Sequence, residues 1–163
     1  MKQKRNDSDR AVYEKELSAA DLHPVSFAIF ALARSHRALA GQMLREVGLF
    51  AGQEILLMQL WDQDGQSQNC LGRTLRLDHS TIAKSVRRLE DTGLVTRSRS
   101  EEDGRVTIVS LTQAGQDLKT KVTDVWSRLE NLTTEGLTEQ EKELFITLSQ
   151  KVASNVDTAL DNS

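Results

Sequence analysis

The run Leu77-Asp78-His79-Ser80-Thr81-Ile82-Ala83-Lys84-Ser85-Val86-Arg87-Arg88-Leu89-Glu90-Asp91-Thr92-Gly93-Leu94-Val95 decides how the chain folds. The carboxylate of Asp78 suits it to cap the unpaired amides of a first helical turn, and Gly93 suits the left-handed conformation that ends a helix. A helix over 79–92 is therefore expected. Ile82, Val86 and Leu89 fall on one face, and Ser80, Thr81, Lys84, Arg87 and Arg88 share the remainder. One face packs while the others present hydroxyls and cations.

Outward from this helix, Leu94-Val95-Thr96-Arg97-Ser98 and Val106-Thr107-Ile108-Val109-Ser110 alternate and are rich in β-branched residues. The polar stretch between them contains Asp103-Gly104, so a hairpin with an Asp-Gly turn is expected. On the other side, Ser67 to Leu75 reads as a brief supporting helix with Leu71 and Leu75 four apart. Helix, helix and hairpin in this order suggest a winged helix-turn-helix.

The spacing of Arg97, Asp103 and Arg105, followed by Leu111-Thr112-x-x-Gly115, resembles the MarR family of bacterial winged helix-turn-helix transcriptional regulators over about Val25 to Leu160. Two residues depart from the family pattern. Gly72 stands where alanine is common, and Arg76 stands where the turn normally carries glycine. Each substitution costs on the order of 1 kcal/mol in helix propensity or left-handed strain.

Composition bounds the alternatives. The chain has 163 residues, 38% hydrophobic and 28% charged, with 4% aromatic residues and one proline, which favours a mainly α fold with one small β-hairpin. The net charge of −3 gives no global attraction to nucleic acid. Between Arg73 and Arg99, however, seven cations face three acids, a local +4 that leaves −7 elsewhere. Such asymmetry is either a solvated helix face or a basic footprint that orients a duplex.

A single cysteine, Cys70, excludes an internal disulfide and fits a reducing cytoplasm. No signal peptide is recognisable, and the longest apolar run, Phe27 to Ala33, is far short of a bilayer span. A cytoplasmic protein without membrane association is expected. Glycine-rich phosphate loops, His-Glu-x-x-His and Gly-x-Ser-x-Gly are missing, and His23, His36, His79 and Cys70 lack the spacing of a zinc site. Neither an enzyme nor a metal or other cofactor is expected.

Residues 1–20 read as a polar N-terminal extension. Pro24 suits the first turn of a long helix, in which Val25, Ile29, Leu32, His36, Leu39 and Met43 form an apolar stripe to about Glu46. Gln53 to Trp61 reads as a short helix. Thr112 can cap a helix carrying Leu118, Val122, Val125, Leu129 and Leu132, and a Thr138/Glu141 capping box starts a last helix carrying Leu144, Leu148, Val152, Val156 and Leu160. These stripes outrun what one small core needs. They either close an intramolecular bundle or, as the resemblance implies, join two copies of the chain. The expected division is a winged helix-turn-helix over 47–111, flanked by N- and C-terminal dimerisation helices over 21–46 and 112–163.

For double-stranded DNA, Ser80, Thr81 and Lys84 are the candidates for base reading, with Arg87 and Arg88 on phosphate and Arg97 and Arg99 at the base of the wing. The resemblance places Arg105 in the minor groove, and Asp103 is expected to aim it through a two-oxygen, two-nitrogen pairing. The other reading of that pair is a surface salt bridge without a role. The family's habit of binding small amphipathic or aromatic anions between winged and dimerisation regions makes His36, Arg37 and Trp61 candidates for an effector pocket, although a lone histidine on an apolar stripe is ordinarily a core residue. The expected function is a homodimeric repressor of an inverted-repeat operator, released by such an effector. Two alternatives stand beside it: a winged helix used only for protein interaction, and a regulator responding to oxidation of Cys70.

Overall fold

The computed structural model describes residues 20–162. The expected N-terminal extension lies outside them except for Ala20. Helix α1 spans Pro24–Arg45 and α2 Gln53–Asp62; a short strand β1, Gln66–Ser67, leads into α3, Gln68–Thr74. Then come α4 at His79–Asp91, β2 at Val95–Arg99, β3 at Thr107–Leu111, α5 at Gln113–Thr133 and α6 at Glu139–Asp161. Mainly helical, with one small antiparallel sheet, this is a winged helix-turn-helix carrying long helices at both ends.

Pro24 occupies the first turn of α1, as its missing amide hydrogen allows. The stripe on α1 is covered unevenly: Ala40, Met43 and Leu44 are buried, whereas Val25 is 64% exposed and Ile29 and Leu32 are also open. The main core gathers Leu44 and Leu49, Leu56, Leu57 and Leu60 of α2, Leu71 of α3, Ile82, Val86 and Leu89 of α4, Val95 and Val109 of the sheet, and Val122 of α5. Burying each such side chain contributes roughly 1.5–3 kcal/mol, and together they fix where α4 sits.

Helices α3 and α4 end by the same device. At α4, Gly93 donates its amide to Glu90 O and Leu94 to Leu89 O, with Gly93 at φ 73°. At α3, Arg76 donates to Arg73 O and Leu77 to Gly72 O, with Arg76 at φ 52°, the one non-glycine residue with positive φ among the described residues. The turn is thus built normally around an unfavourable residue. Gly72 has a packing reason: a Cβ there would sit 3.3 Å from Ile82 Cγ2 and 3.4 Å from the Leu77 carbonyl. Alanine would press α3 against α4.

The hairpin forms with β2 and β3 each starting one residue later than the alternation suggests, in register Val95↔Leu111, Arg97↔Val109 and Arg99↔Thr107. Leu94 is excluded from β2 because its amide closes the end of α4. Sequence reading misses β1, whose Gln66 and Ser67 pair with Val109 and Ile108 to give the sheet order β1-β3-β2. Two residues carry no alternation to detect.

The start of α5 is pinned to the end of α4. Thr112 Oγ1 donates to Gly93 O at 2.6 Å and accepts the Gly115 amide at 3.1 Å, while the Thr112 amide reaches Leu94 O at 3.1 Å. A Cβ on Gly115 would fall 2.1 Å from that Leu94 carbonyl, so only glycine fits. This supplies the physical reason for the Thr112-x-x-Gly115 spacing.

The described residues form two compact units, one ending at Val125 and the other beginning at Trp126. The second holds the end of α5, the break at Gly136 with φ 83°, and α6. Its capping box is as expected: Glu141 Oε2 accepts the Thr138 amide at 2.7 Å and Thr138 Oγ1 accepts the Glu141 amide at 3.3 Å. None of the α6 residues is buried. No helix among the described residues is long and apolar enough to cross a membrane.

Candidate nucleic-acid interface

Packing of Ile82, Val86 and Leu89 into the core turns the rest of α4 outward. Ser80, Lys84, Arg87 and Arg88 are exposed and Thr81 is half-exposed. The N-cap is Asp78, as expected, but its role is larger than a cap. Oδ1 accepts the amides of Ser80 and Thr81, both at 2.9 Å, and the Ser80 hydroxyl at 2.7 Å, while Oδ2 accepts the Thr81 hydroxyl at 2.5 Å. These bonds, led by the Thr81 and Ser80 hydroxyls, hold the Asp78 carboxyl well below the usual carboxylate range.

The arginines of the wing divide into two kinds. Arg97 donates Nε to Glu90 Oε2 at 2.8 Å and Nη2 to the same oxygen, tying β2 to the last turn of α4. That bond is the main reason the Glu90 pKa lies below its ordinary value and the Arg97 pKa above its own. Arg99 Nη1 reaches Arg105 O and Thr107 Oγ1, each at 3.3 Å, and so braces the hairpin. Glu90, Arg97, Ser98, Arg99 and Thr107 line an open cleft of about 290 Å³. By contrast Lys84, Arg88 and Arg105 have no hydrogen-bonded partner for their cationic groups among the described residues.

One expectation at the wing tip is corrected. Asp103 does not grip the Arg105 guanidinium; its Oδ1 accepts the Arg105 backbone amide at 2.9 Å, and the Val106 amide closes the turn onto Asp103 O at 2.8 Å. An aspartate two residues before an amide can close this local ring without ordering a long arginine side chain, so the local bond wins. Asp103 shapes the tip through the Arg105 backbone and does not fix the direction of its guanidinium.

The effector candidates are not gathered into one cleft. Trp61 lines a cleft of about 210 Å³ with Met58, Asp62, Lys119 and Thr123. Its Nε1 donates to Gly115 O at 3.0 Å. His36 is half-buried and Arg37 exposed on α1, and neither belongs to that lining. Arg37 instead faces electrostatically toward the buried Glu54, whose pKa is raised mainly by desolvation. Cys70 is half-buried in α3.

Sequence reading misses three supports. Glu90 clamps Arg97, Asp78 collects both hydroxyls, and Asp64 Oδ1 accepts the Leu111 amide at 2.9 Å to anchor the end of β3. Only Asp78 carries a readable signal, since an aspartate before Ser-Thr at a helix start can accept from both hydroxyls.

Supporting helix, outward-facing helix and braced hairpin define a winged helix-turn-helix protein, the architecture of regulators that read duplex DNA. The model of the family described as transcriptional regulator SarA/Rot matches residues 38–122. The chain is 33% identical over 99 residues to the organic hydroperoxide resistance transcriptional regulator of Bacillus subtilis (strain 168), covering 61% of this chain and 67% of that protein. Its fold is similar to that of the PcaV transcriptional regulator from Streptomyces coelicolor solved with its natural ligand, with 28% identity, a TM-score of 0.75, and coverage of 83% of this chain and 94% of the other. It is also similar to reduced AbfR bound to DNA, with 26% identity, a TM-score of 0.66, and coverage of 85% and 97%. The chain belongs to the SarA/Rot family of MarR-like transcriptional regulators, which are DNA-binding proteins and not enzymes.

Proposed function

We propose that this protein is a cytoplasmic repressor that binds an inverted-repeat operator as a homodimer and is released by a small amphipathic or aromatic effector. The observation that carries the reading is the outward array on α4 and the wing: hydroxyls at Ser80 and Thr81, and cations at Lys84, Arg88 and Arg105 that have no hydrogen-bonded partner among the described residues. Ser80, Thr81 and Lys84 read bases, Arg87 and Arg88 meet phosphate, and Arg105 enters the minor groove. Arg97 and Arg99, already tied to Glu90 and Thr107, hold the wing at its angle, and Asp103 shapes its tip.

Dimerisation is supported by the open apolar faces of α1 and α6, whose Val25, Leu144, Phe145 and Leu160 are each half or more exposed in the single chain. Residues 21–46 and 112–163 would supply that interface and 47–111 the DNA contacts. Two recognition helices related by a two-fold axis can meet successive major grooves ~34 Å apart. The ligand-bound PcaV relative supports effector control, and Trp61 lines a cleft of this chain whose lining does not include His36 or Arg37. A coupling of about 1–3 kcal/mol between effector and DNA suffices for release.

Genome-wide binding of the tagged protein identifies an operator, and anisotropy titration at fixed salt then tests the residues. Lys84→Ala and Arg105→Ala are each expected to weaken binding about tenfold. Unchanged affinity in both removes this reading. Duplex binding that ignores salt, or none at all, would point instead to a protein-interaction module. For the effector, phenolic acids are titrated while tryptophan fluorescence and DNA release are followed.

A further inference from the structure

Ser80 and Thr81 look like two independent polar readers, yet the structure joins them through one carboxylate. A hydroxyl has a single proton and two lone pairs. Ser80 delivers its proton to Asp78 Oδ1 at 2.7 Å and Thr81 delivers its own to Oδ2 at 2.5 Å. What both hydroxyls then show to anything outside the helix is lone pairs alone.

We propose that Asp78 is a specificity-setting positioning residue: it makes Ser80 and Thr81 acceptor-only readers, so that the half-site positions they face carry adenine or cytosine on the contacted strand. The inference rests on the operator-binding reading above. In the major groove the hydrogen-bond donors are the N6 amino group of adenine and the N4 amino group of cytosine, whereas guanine offers N7 and O6 and thymine offers O4 as acceptors. An unrestrained serine or threonine hydroxyl rotates to suit either kind and discriminates little. With its proton committed to Asp78, the same hydroxyl faces a keto base lone pair to lone pair. The carboxylate therefore converts a tolerant contact into a selective one, and its negative charge also disfavours loose association with phosphate.

Asp78→Asn separates this role from helix capping. Asparagine caps a helix about as well as aspartate, and its carbonyl oxygen can retain the two amides and the Ser80 hydroxyl. The amide nitrogen replacing Oδ2 becomes a donor to Thr81 Oγ1, which turns the Thr81 proton outward. Thr81→Val and Ser80→Ala leave the carboxylate cap in place and remove one hydroxyl each.

The test is selection of duplexes from a randomised library by the full-length wild type and these three variants, followed by titration of single-position duplex variants. The half-site position at which Thr81→Val or Ser80→Ala abolishes discrimination identifies the contacted base. The wild type is expected to prefer adenine or cytosine there by about fivefold, the worth of one hydrogen bond. Asp78→Asn is expected to lose or invert that preference at the Thr81 position, keep the rest of the motif, and bind random duplex more tightly. Guanine or thymine at the contacted position, no position sensitive to either hydroxyl deletion, or an unaltered preference in Asp78→Asn overturns the proposal and leaves operator binding standing. The base preference of the wild type at the positions mapped by the two hydroxyl deletions decides the matter even if Asp78→Asn folds poorly. No enriched motif for the wild type overturns the operator reading, and this inference with it.

Discussion

Helix α4 carries three apolar residues on one face, and Ile82, Val86 and Leu89 are each within 1% of complete burial. Helix α6 carries five at four-residue spacing, Leu144, Leu148, Val152, Val156 and Leu160, and buries none of them. In the sequence the two stripes look alike. Periodicity says which residues share a face but not whether their own chain covers it. The winged region closes its own core, so its residues can be tested one at a time for fit. The α6 face is defined by what it lacks, so it must be tested by adding charge.

The sharpest way to break the winged side is Gly115→Ala. The added Cβ would lie 2.1 Å from the Leu94 carbonyl, a backbone atom that cannot swing aside, and relief requires α5 to part from the end of α4. Both bonds of the Thr112 hydroxyl, the Thr112 amide bond to Leu94 O and the Trp61 bond to Gly115 O would be strained at once. A loss of about 3 kcal/mol or more is expected in chemical denaturation, with a matching fall in the melting temperature. A change below about 1 kcal/mol would mean that the junction is softer than its geometry indicates.

Next in size is the double substitution Leu144→Glu with Leu148→Glu on α6. Both side chains are more than half exposed in the single chain, so a monomer should barely register the change. A dimer would have to bury two carboxylates, which is strongly unfavourable. Sedimentation is expected to show a monomer, with operator affinity falling at least a hundredfold as the second half-site is lost. A variant that stays dimeric and binds normally would mean that α6 is not the contact surface.

How much of this is legible in the sequence differs from feature to feature. Asp78 and Gly93 bracket α4 because capping and left-handed closure act over two or three residues. The same closure at Arg76 is invisible to propensity, since tertiary packing of α3 on α4 overrides an unfavourable residue. The hairpin is legible from alternation; β1 is not, because its two residues pair only by virtue of a strand more than forty positions away. At the wing, the spacing of Asp103 and Arg105 signals an interaction between them, but a side-chain pair is read where the backbone amide wins. Glu90 and Arg97 meet because the turn after α4 folds β2 back along its last turn, a seven-residue spacing with no local signature. Charge singles out the face proposed to meet DNA. Which of its cations are already engaged follows only from the fold.

Glu90→Gln sharpens that distinction on a smaller scale. Removing the carboxylate charge is expected to release Arg97 from Glu90 and add one more unengaged cation to the face proposed to meet the duplex. Binding to random DNA is expected to strengthen a few-fold, and the slope of log affinity against log salt to steepen by about one phosphate contact. Specific binding gains less, because the wing loses its fixed angle. If the slope stays at the wild-type value, Arg97 is held by the sheet itself and the clamp is incidental.

The smallest expected effect concerns Glu54, a buried carboxylate beneath the loop before α2. Its Oε2 accepts the Gly52 amide at 2.6 Å. Desolvation raises its pKa, while hydrogen bonds from the Glu54 and Gly52 amides and the charge of Arg37 work against the rise. A raised folded-state value means that the native protein holds this proton more tightly than the unfolded chain does. From the ordinary glutamate value of about 4.3 up to the raised value, this group therefore makes stability fall as pH rises. Glu54→Gln keeps an oxygen for the Gly52 amide and removes the titration, so its melting temperature should lack that downward component. The opposing bonds keep the difference small, which is why paired pH profiles, and not a single melting point, are the measurement to make. Parallel profiles for the two proteins across that window would show that the loop already hydrates Glu54, and that the winged region tolerates a charge where its burial argues against one.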